Sequence, residues 1–297
     1  MGVDRDDRCM DDTTSPPTSI EPADQRAAWN GPEGTNWAKH SERAAPGGDF
    51  SADVLEVADL DRSEHVLDIG CGIGALTRDA ARVAVDGHAL GVDLSAAMIE
   101  RARQIAVTEG VANVAFAVDD VATHRFDEMH LDVALSHFGV MFFDDPVTAF
   151  ANVAAALRPG GRLVFVCPAA MERCDWYVVP LAALAGAPPT PADAPSVMFS
   201  LADPVHIRRV LRAAGFSRVD VEPFDGALWF GEDARTAAEM YLDAGPVQAF
   251  LQRHPSMTDD AALDTLVEAV APYAGPDGVR FEGAHWMVRA VRPEGDS

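Results

Sequence analysis

Between residues 65 and 167 the chain alternates short apolar runs with segments of helical period, a pattern that few architectures accept. Residues 65–69, 89–94, 114–118, 131–136 and 162–167 read as strands. Residues 75–85, 96–109 and 147–157 read as helices, the second with Met98, Ile99, Ala102 and Ile105 at helical spacing and the third stopped by Pro159, Gly160 and Gly161. Strands apolar on both faces and separated by helices predict a parallel sheet covered on each side, a doubly wound α/β fold.

The flanks divide the chain further. Residues 1–24 combine Asp, Thr, Ser and Pro without apolar periodicity and read as a disordered tail. In 25–48, Trp29 and Trp37 sit among Gly31, Pro32 and Gly34, as an N-terminal lid over a site or as surface packing. The main domain is expected over 49–293, opening with a helix at 49–60. Two insertions interrupt it. Residues 168–200 hold Pro180, Pro188, Pro189, Pro191 and Pro195, too many for a long helix, and 232–273 read as two or three short helices. Between and after them come a helix at 204–214, a strand at 218–223 and a final strand at 285–291. Met171, Trp176, Tyr177, Met198 and Phe199 give the first insertion the composition of an apolar cap over a small-molecule acceptor, or of ordinary packing.

The densest motif runs from Val66 to Ala75, where the first strand enters Gly70, Cys71, Gly72, Ile73 and Gly74 and then a helix. Such glycines allow a tight turn and let a ligand approach the backbone beside unpaired helix N–H groups. Gly70, Gly72 and Ala75 also satisfy a dinucleotide fingerprint, so the glycines alone do not discriminate. Asp68 does, because a carboxylate two residues before the first glycine suits a cationic ligand better than a pyrophosphate. Asp93 ends the second strand where it can accept from two ribose hydroxyls, and Asp119, Asp120 and Val121 follow the third strand where they can hold an adenine edge.

Together with Gly91 to Ser95, Asp119 to Val121, Ser136 to Phe143 and Leu157 to Gly161, this motif resembles the class I S-adenosylmethionine-dependent methyltransferases. Ser136 to Phe143 and the Trp29 to Trp37 segment are similar to the broad group related to quinone-biosynthesis C-methyltransferases. The resemblance implies a Rossmann-like seven-stranded sheet of order 3-2-1-4-5-7-6 with the last strand antiparallel, and S-adenosyl-L-methionine as cofactor. It implies that Asp68 and the loop residues Gly70, Cys71, Gly72 and Gly74 hold the methionine moiety, that Asp93 holds the ribose, and that Asp120 with Val121 holds the adenine. Trp37, Leu94, Met98 and Ser136 complete the expected cofactor-binding set.

One position departs from the expected pattern. His137 stands where an arginine often follows the serine, at the carboxyl end of the fourth strand, where such sheets bind ligands. Its ordinary pKa suits a general base near neutral pH, and the alternative is a hydrogen bond to cofactor or backbone. His40 is the second catalytic candidate. Asp144 and Asp145 read as a helix start, with Asp145 as N-cap and Pro146 at N1, in preference to a metal pair.

Charge narrows the partners. With 23 basic against 47 acidic residues and a formal charge of -24, the field repels nucleic acid and anionic membranes. No apolar run reaches the length of a membrane helix, and the acidic N-terminus is unlike an export signal. Cys9, Cys71, Cys167 and Cys174 form no CxxC pair, which fits a reducing cytoplasm and argues against structural zinc. The expectation is a cytoplasmic enzyme methylating an O, N or C atom of a small molecule in specialised metabolism. The alternatives are methylation of a peptide terminus or side chain, a non-catalytic cofactor-binding protein, and a dinucleotide-dependent oxidoreductase.

Overall fold

The computed structural model describes residues 22–40, 50–126, 131–190 and 197–294. At its centre lies one sheet. Strands β1 (His65–Ile69), β2 (His88–Asp93), β3 (Val114–Val118), β4 (Leu131–His137) and β5 (Leu157–Pro168) are parallel, and β6 (Ser217–Gly231) and β8 (Gly278–Val291) complete it. The order is β3-β2-β1-β4-β5-β8-β6, with β8 antiparallel to both neighbours. A two-residue strand β7 (Ala274–Gly275) pairs with the start of β8. Without it, this is the seven-stranded order expected from the sequence, with the last strand antiparallel.

Alternation along the buried strands builds two cores. Val66, Val133, Leu135, Val164 and Val166 face one side, while Leu67, Ala134, Leu163 and Phe165 face the other. The first side is covered by α3 (Ser51–Ala58) and α4 (Ala75–Val83), the second by α6 (Pro146–Ala156) and α8 (Pro204–Ala213). On the edge next to β3, α5 (Ala96–Glu109) packs Ile99 and Ala102 on Phe116. Asp145 accepts from the Thr148 N–H at 3.1 Å and Pro146 opens α6, so the acidic pair starts a helix as its order suggests.

The cap helices α7 (Asp175–Ala185), α9 (Ala234–Leu242), α10 (Gly245–Arg253) and α11 (Asp259–Val270) share the first core, with Tyr177, Leu181, Phe230, Tyr241, Phe250 and Leu266 contiguous with the sheet valines. Three sequence readings need correction here. The first insertion contains an eleven-residue helix, α7, despite Pro180 inside it. Proline lacks the N–H that would bond the carbonyl four residues back, and that carbonyl, of Trp176, instead accepts from the Tyr241 hydroxyl at 2.8 Å. The second correction concerns β6 and β8, which run well beyond 218–223 and 285–291 as a long antiparallel ribbon under the cap. Gly226 and Gly283 face each other in that ribbon, and such glycines and acidic side chains hide a strand from periodicity.

Third, the 25–48 segment begins as two helices, α1 (Pro22–Trp29) and α2 (Pro32–His40), so helix starts inside the stretch read as tail. Residues 1–21 and 41–49, and Cys9 with them, lie outside the described residues.

Candidate active site

The loops at the carboxyl ends of β1, β2, β3 and β4 open into one cavity of about 630 Å³. Asp68, Gly70, Cys71, Gly72, Asp93, Leu94, Met98, Asp119, Asp120, Val121 and Trp37 line it, as does His137. Residues far apart in sequence are thus gathered at the edge where open α/β sheets bind ligands. Cap residues Trp176, Tyr177, Leu181, Met198 and Tyr241, with Phe230 from the end of β6, form the remaining, largely apolar wall.

Two candidates take supporting positions beside the cavity. Ser136 is fully buried below the loop, where its hydroxyl donates to the Ile69 carbonyl at 2.8 Å and accepts from the Gly139 N–H at 3.1 Å. Gly74 is the N-cap of α4, and a Cβ there would come within 2.3 Å of the Phe116 ring. Neither lines the cavity. The Ser136 strut matters because the β1 and β4 loops touch backbone to backbone. Gly70 has φ 65°, and a Cβ on it would lie 2.7 Å from Gly139 Cα. His40 ends α2, and its side chain lies outside the described residues.

Two carboxylates dominate the electrostatics. Asp68 is 1% exposed and accepts from the Thr77 hydroxyl at 2.6 Å. Burial pushes its pKa up to about 7, against that hydrogen bond and with the added repulsion of Asp93. Asp93 accepts from the Gly72 N–H at 2.9 Å and the Ser95 N–H at 2.8 Å. Burial raises its pKa as well, and those N–H groups oppose the rise. Thr77 escaped the sequence reading because its role appears only when the first helical turn folds back over β1.

At the third strand the chemistry is milder. Asp120 accepts from the Ala122 N–H at 2.9 Å, and Asp119 pairs with His124 at 2.7 Å, which lowers the Asp119 pKa. The Cys71 thiol is held well above its ordinary pKa, first by burial and then by Asp68 and Asp93, so it is inert as a nucleophile.

His137 differs from its sequence reading in one respect that changes the chemistry. Burial, reinforced by neighbouring His285, pushes its pKa down to about 4. The ring is therefore neutral across the physiological range, and the expected titration near pH 6.5 does not arise from it.

Above the site, the paired helices α1 and α2 tie its two ends together. The Asn30 side-chain amide donates to the Leu94 carbonyl at 2.8 Å and accepts from the Ala96 N–H at 3.2 Å. Trp29 meets Phe142 edge-on at 5.2 Å. Asn36 donates to the Asp243 carbonyl at 3.3 Å, and Lys39 stands 3.7 Å from the Asp243 carboxylate at the end of α9.

Residues 66–161 match the family described as methyltransferase domain. Among curated proteins the chain is 36% identical over 116 residues to aklanonic acid methyltransferase of Streptomyces sp. strain C5, covering 39% of this chain and 53% of that protein. It is 29% identical over 130 residues to nocamycin O-methyltransferase of Saccharothrix syringae, covering 43% and 46%. The matched regions thus span about half the length of these relatives.

Among solved structures, phosphoethanolamine N-methyltransferase 2 of Haemonchus contortus in complex with S-adenosyl-L-methionine shares the fold, with TM-score 0.54, 21% identity, and coverage of 84% of this chain and 54% of that one. Sheet order and the glycine loop at the end of β1 give the chain a Rossmann-like fold, the fold it shares with that structure.

Proposed function

We propose that this protein is an S-adenosylmethionine-dependent methyltransferase that methylates an oxygen of a small, largely apolar acceptor. The observation that carries the reading is the pair Asp68, buried, and Asp93, half-buried, two carboxylates with raised pKa values beside a glycine loop and with no ion-pair partner among the described residues. A buried carboxylate such as Asp68 calls for a cation, which the ammonium group of a sulfonium amino acid provides, and a carboxylate such as Asp93 accepts from hydroxyl donors. The residues present therefore fit the cofactor. Asp68 and the loop backbone would hold its methionine end, Asp93 the ribose hydroxyls, and Asp120 with Val121 the adenine. Relatives named for aklanonic acid and nocamycin support a small-molecule acceptor, and the second of them supports transfer to oxygen.

The cofactor supplies an electrophilic methyl group, so the protein's tasks are alignment, exclusion of water and disposal of a proton. Helices α1 and α2 and the apolar cap serve exclusion. His137, neutral at pH 7, offers a ring nitrogen at the mouth of β4 that accepts the acceptor's proton as the new bond forms.

Calorimetric titration with S-adenosylmethionine and, separately, NAD tests the cofactor assignment: S-adenosylmethionine binds and NAD does not. Binding of NAD alone would refute it in favour of an oxidoreductase. Formation of S-adenosylhomocysteine with a small hydroxylated acceptor tests the activity, and turnover only with peptides would overturn the acceptor class.

A further inference from the structure

Where the cavity meets β4 and the cap, polar atoms are buried without hydrogen-bond partners among the described residues: Ser51 Oγ, His137 Nε2 and Trp176 Nε1. All three residues line the cavity, and Ser51 is only 2% exposed. Buried hydroxyls and ring N–H groups left unpaired each cost on the order of 1–3 kcal/mol, so such a group in an apolar wall marks a contact made with something else.

The surroundings show that this corner is built rather than loosely packed. Phe50 and Phe138 both adopt left-handed backbone, with φ 62° and 61°, a costly state for bulky side chains. These two strained residues immediately precede Ser51 and follow His137, and their rings meet edge-on at 6.2 Å. Phe50 also packs 5.7 Å from the His137 ring and 4.9 Å from that of His285. The space for it exists because residue 226 is glycine, where a Cβ would lie 2.5 Å from the Phe50 ring. Across the ribbon, the position a Cβ at Gly283 would take is 3.0 Å from both the Trp176 indole and His285 Cε1, so the indole joins the same cluster. His285, 1% exposed, stacks on Phe138 at 5.4 Å and is held neutral by burial, with a pKa pushed down to about 4.

Building on the methyltransferase reading, we infer that Ser51, His137 and Trp176 form a neutral recognition station for one oxygen of the acceptor, a phenolic hydroxyl or a carbonyl on an aromatic, multi-ring body. The indole N–H donates only, the serine hydroxyl donates or accepts, and the neutral imidazole does either according to its tautomer. That set matches an uncharged oxygen better than a carboxylate or an ammonium. Among the described residues no arginine or lysine borders this corner to pair an anion, and Arg26 is the one arginine or lysine lining the cavity, beside acidic Asp68, Asp93, Asp119 and Asp120. Aromatic faces of Phe50, Phe138 and Trp176 supply flat apolar surface for fused rings.

The test uses the full chain with S-adenosylhomocysteine at saturation, titrated calorimetrically with 2-naphthol, naphthalene and 2-naphthoate. The station predicts that 2-naphthol binds at least about tenfold tighter than naphthalene, and that 2-naphthoate binds more weakly than 2-naphthol. Ser51→Ala and Trp176→Phe should each reduce the naphthol preference to about threefold or less while leaving the S-adenosylhomocysteine dissociation constant unchanged. Equal binding of 2-naphthol and naphthalene to the wild-type protein, or tightest binding of 2-naphthoate, overturns the inference without any variant. So does an undiminished preference in both folded variants. Failure of S-adenosylhomocysteine to bind would instead count against the cofactor reading, and the naphthol and naphthalene titrations on the protein alone would still decide the station.

Discussion

With the methionine end of the cofactor beside Asp68, as proposed, cofactor affinity should depend on pH in a way that the surroundings of Asp68 determine. In the ligand-free protein its carboxyl has a pKa of about 7, against an ordinary value of 3.8. A cation placed beside it restores the ionised form, so binding releases a proton wherever the free protein still carries one. If the bound value returns to 3.8, the dissociation constant for S-adenosylmethionine should rise roughly fifteenfold as pH falls from 7 to 5.5. Over that range the ligand's own amino group stays protonated, which isolates the protein's contribution.

Calorimetry at pH 5.5 in buffers of different ionisation enthalpy should register release of about one proton per cofactor. Asp68→Asn should bind weakly at every pH and lose the slope. The same carboxyl lowers stability. Because its folded pKa lies above its unfolded one, the folded state holds the extra proton between pH 3.8 and about 7, and stability falls as pH rises through that window. The full difference corresponds to roughly 4 kcal/mol, an upper figure for a buried group. At pH 8, Asp68→Asn should therefore unfold at higher temperature than the wild type while binding cofactor poorly. A pH-independent dissociation constant, or a variant less stable than wild type at pH 8, would refute the argument.

Asp93→Ala should weaken S-adenosylmethionine binding by roughly 2–4 kcal/mol, measured by calorimetry, through loss of a charged acceptor for the ribose. Because the Gly72 and Ser95 N–H groups also lose their partner, it should destabilise the free protein by about 1–2 kcal/mol in denaturant titrations, more than a purely ligand-facing role allows. With cofactor saturating, the turnover rate should stay flat from pH 8 down to about 5, because His137 titrates near 4. His137→Gln should lower that rate by roughly 10²- to 10⁴-fold if the ring takes the proton, and a rate within threefold of wild type would make it a wall residue. Tyr241→Phe should cost about 1–2 kcal/mol by stranding the Trp176 carbonyl above Pro180, and adding Pro180→Ala should restore part of the loss if the helix N–H recaptures that carbonyl.

The sheet was legible in the sequence because each parallel strand is buried on both faces, and continuous apolar runs between helix-period segments suit a covered parallel sheet and little else. The same local logic exposed Asp68, the glycine loop and Asp93, since each sits at a strand end whose position the pattern reveals. Asp145 and Pro146 announced their helix start through neighbours alone.

What required the folded chain were properties that depend on distant partners. Burial and His285, which comes nearly 150 residues later, set the protonation of His137, and no local pattern carries that information. Helix α7 survives its proline because Tyr241, from another helix, supplies the missing hydrogen bond. The β6–β8 ribbon is interrupted by glycines that propensity reads as breaks and that the packing of Phe50 and Trp176 requires. Ser51 is an unremarkable serine in sequence, and only the convergence of α3, β4, α7 and the ribbon leaves its hydroxyl buried in the cavity wall. A strand's period is a local property of the chain. Burial, pKa and the pairing of a polar atom belong to the environment that assembled elements create, and the tertiary structure alone decides them.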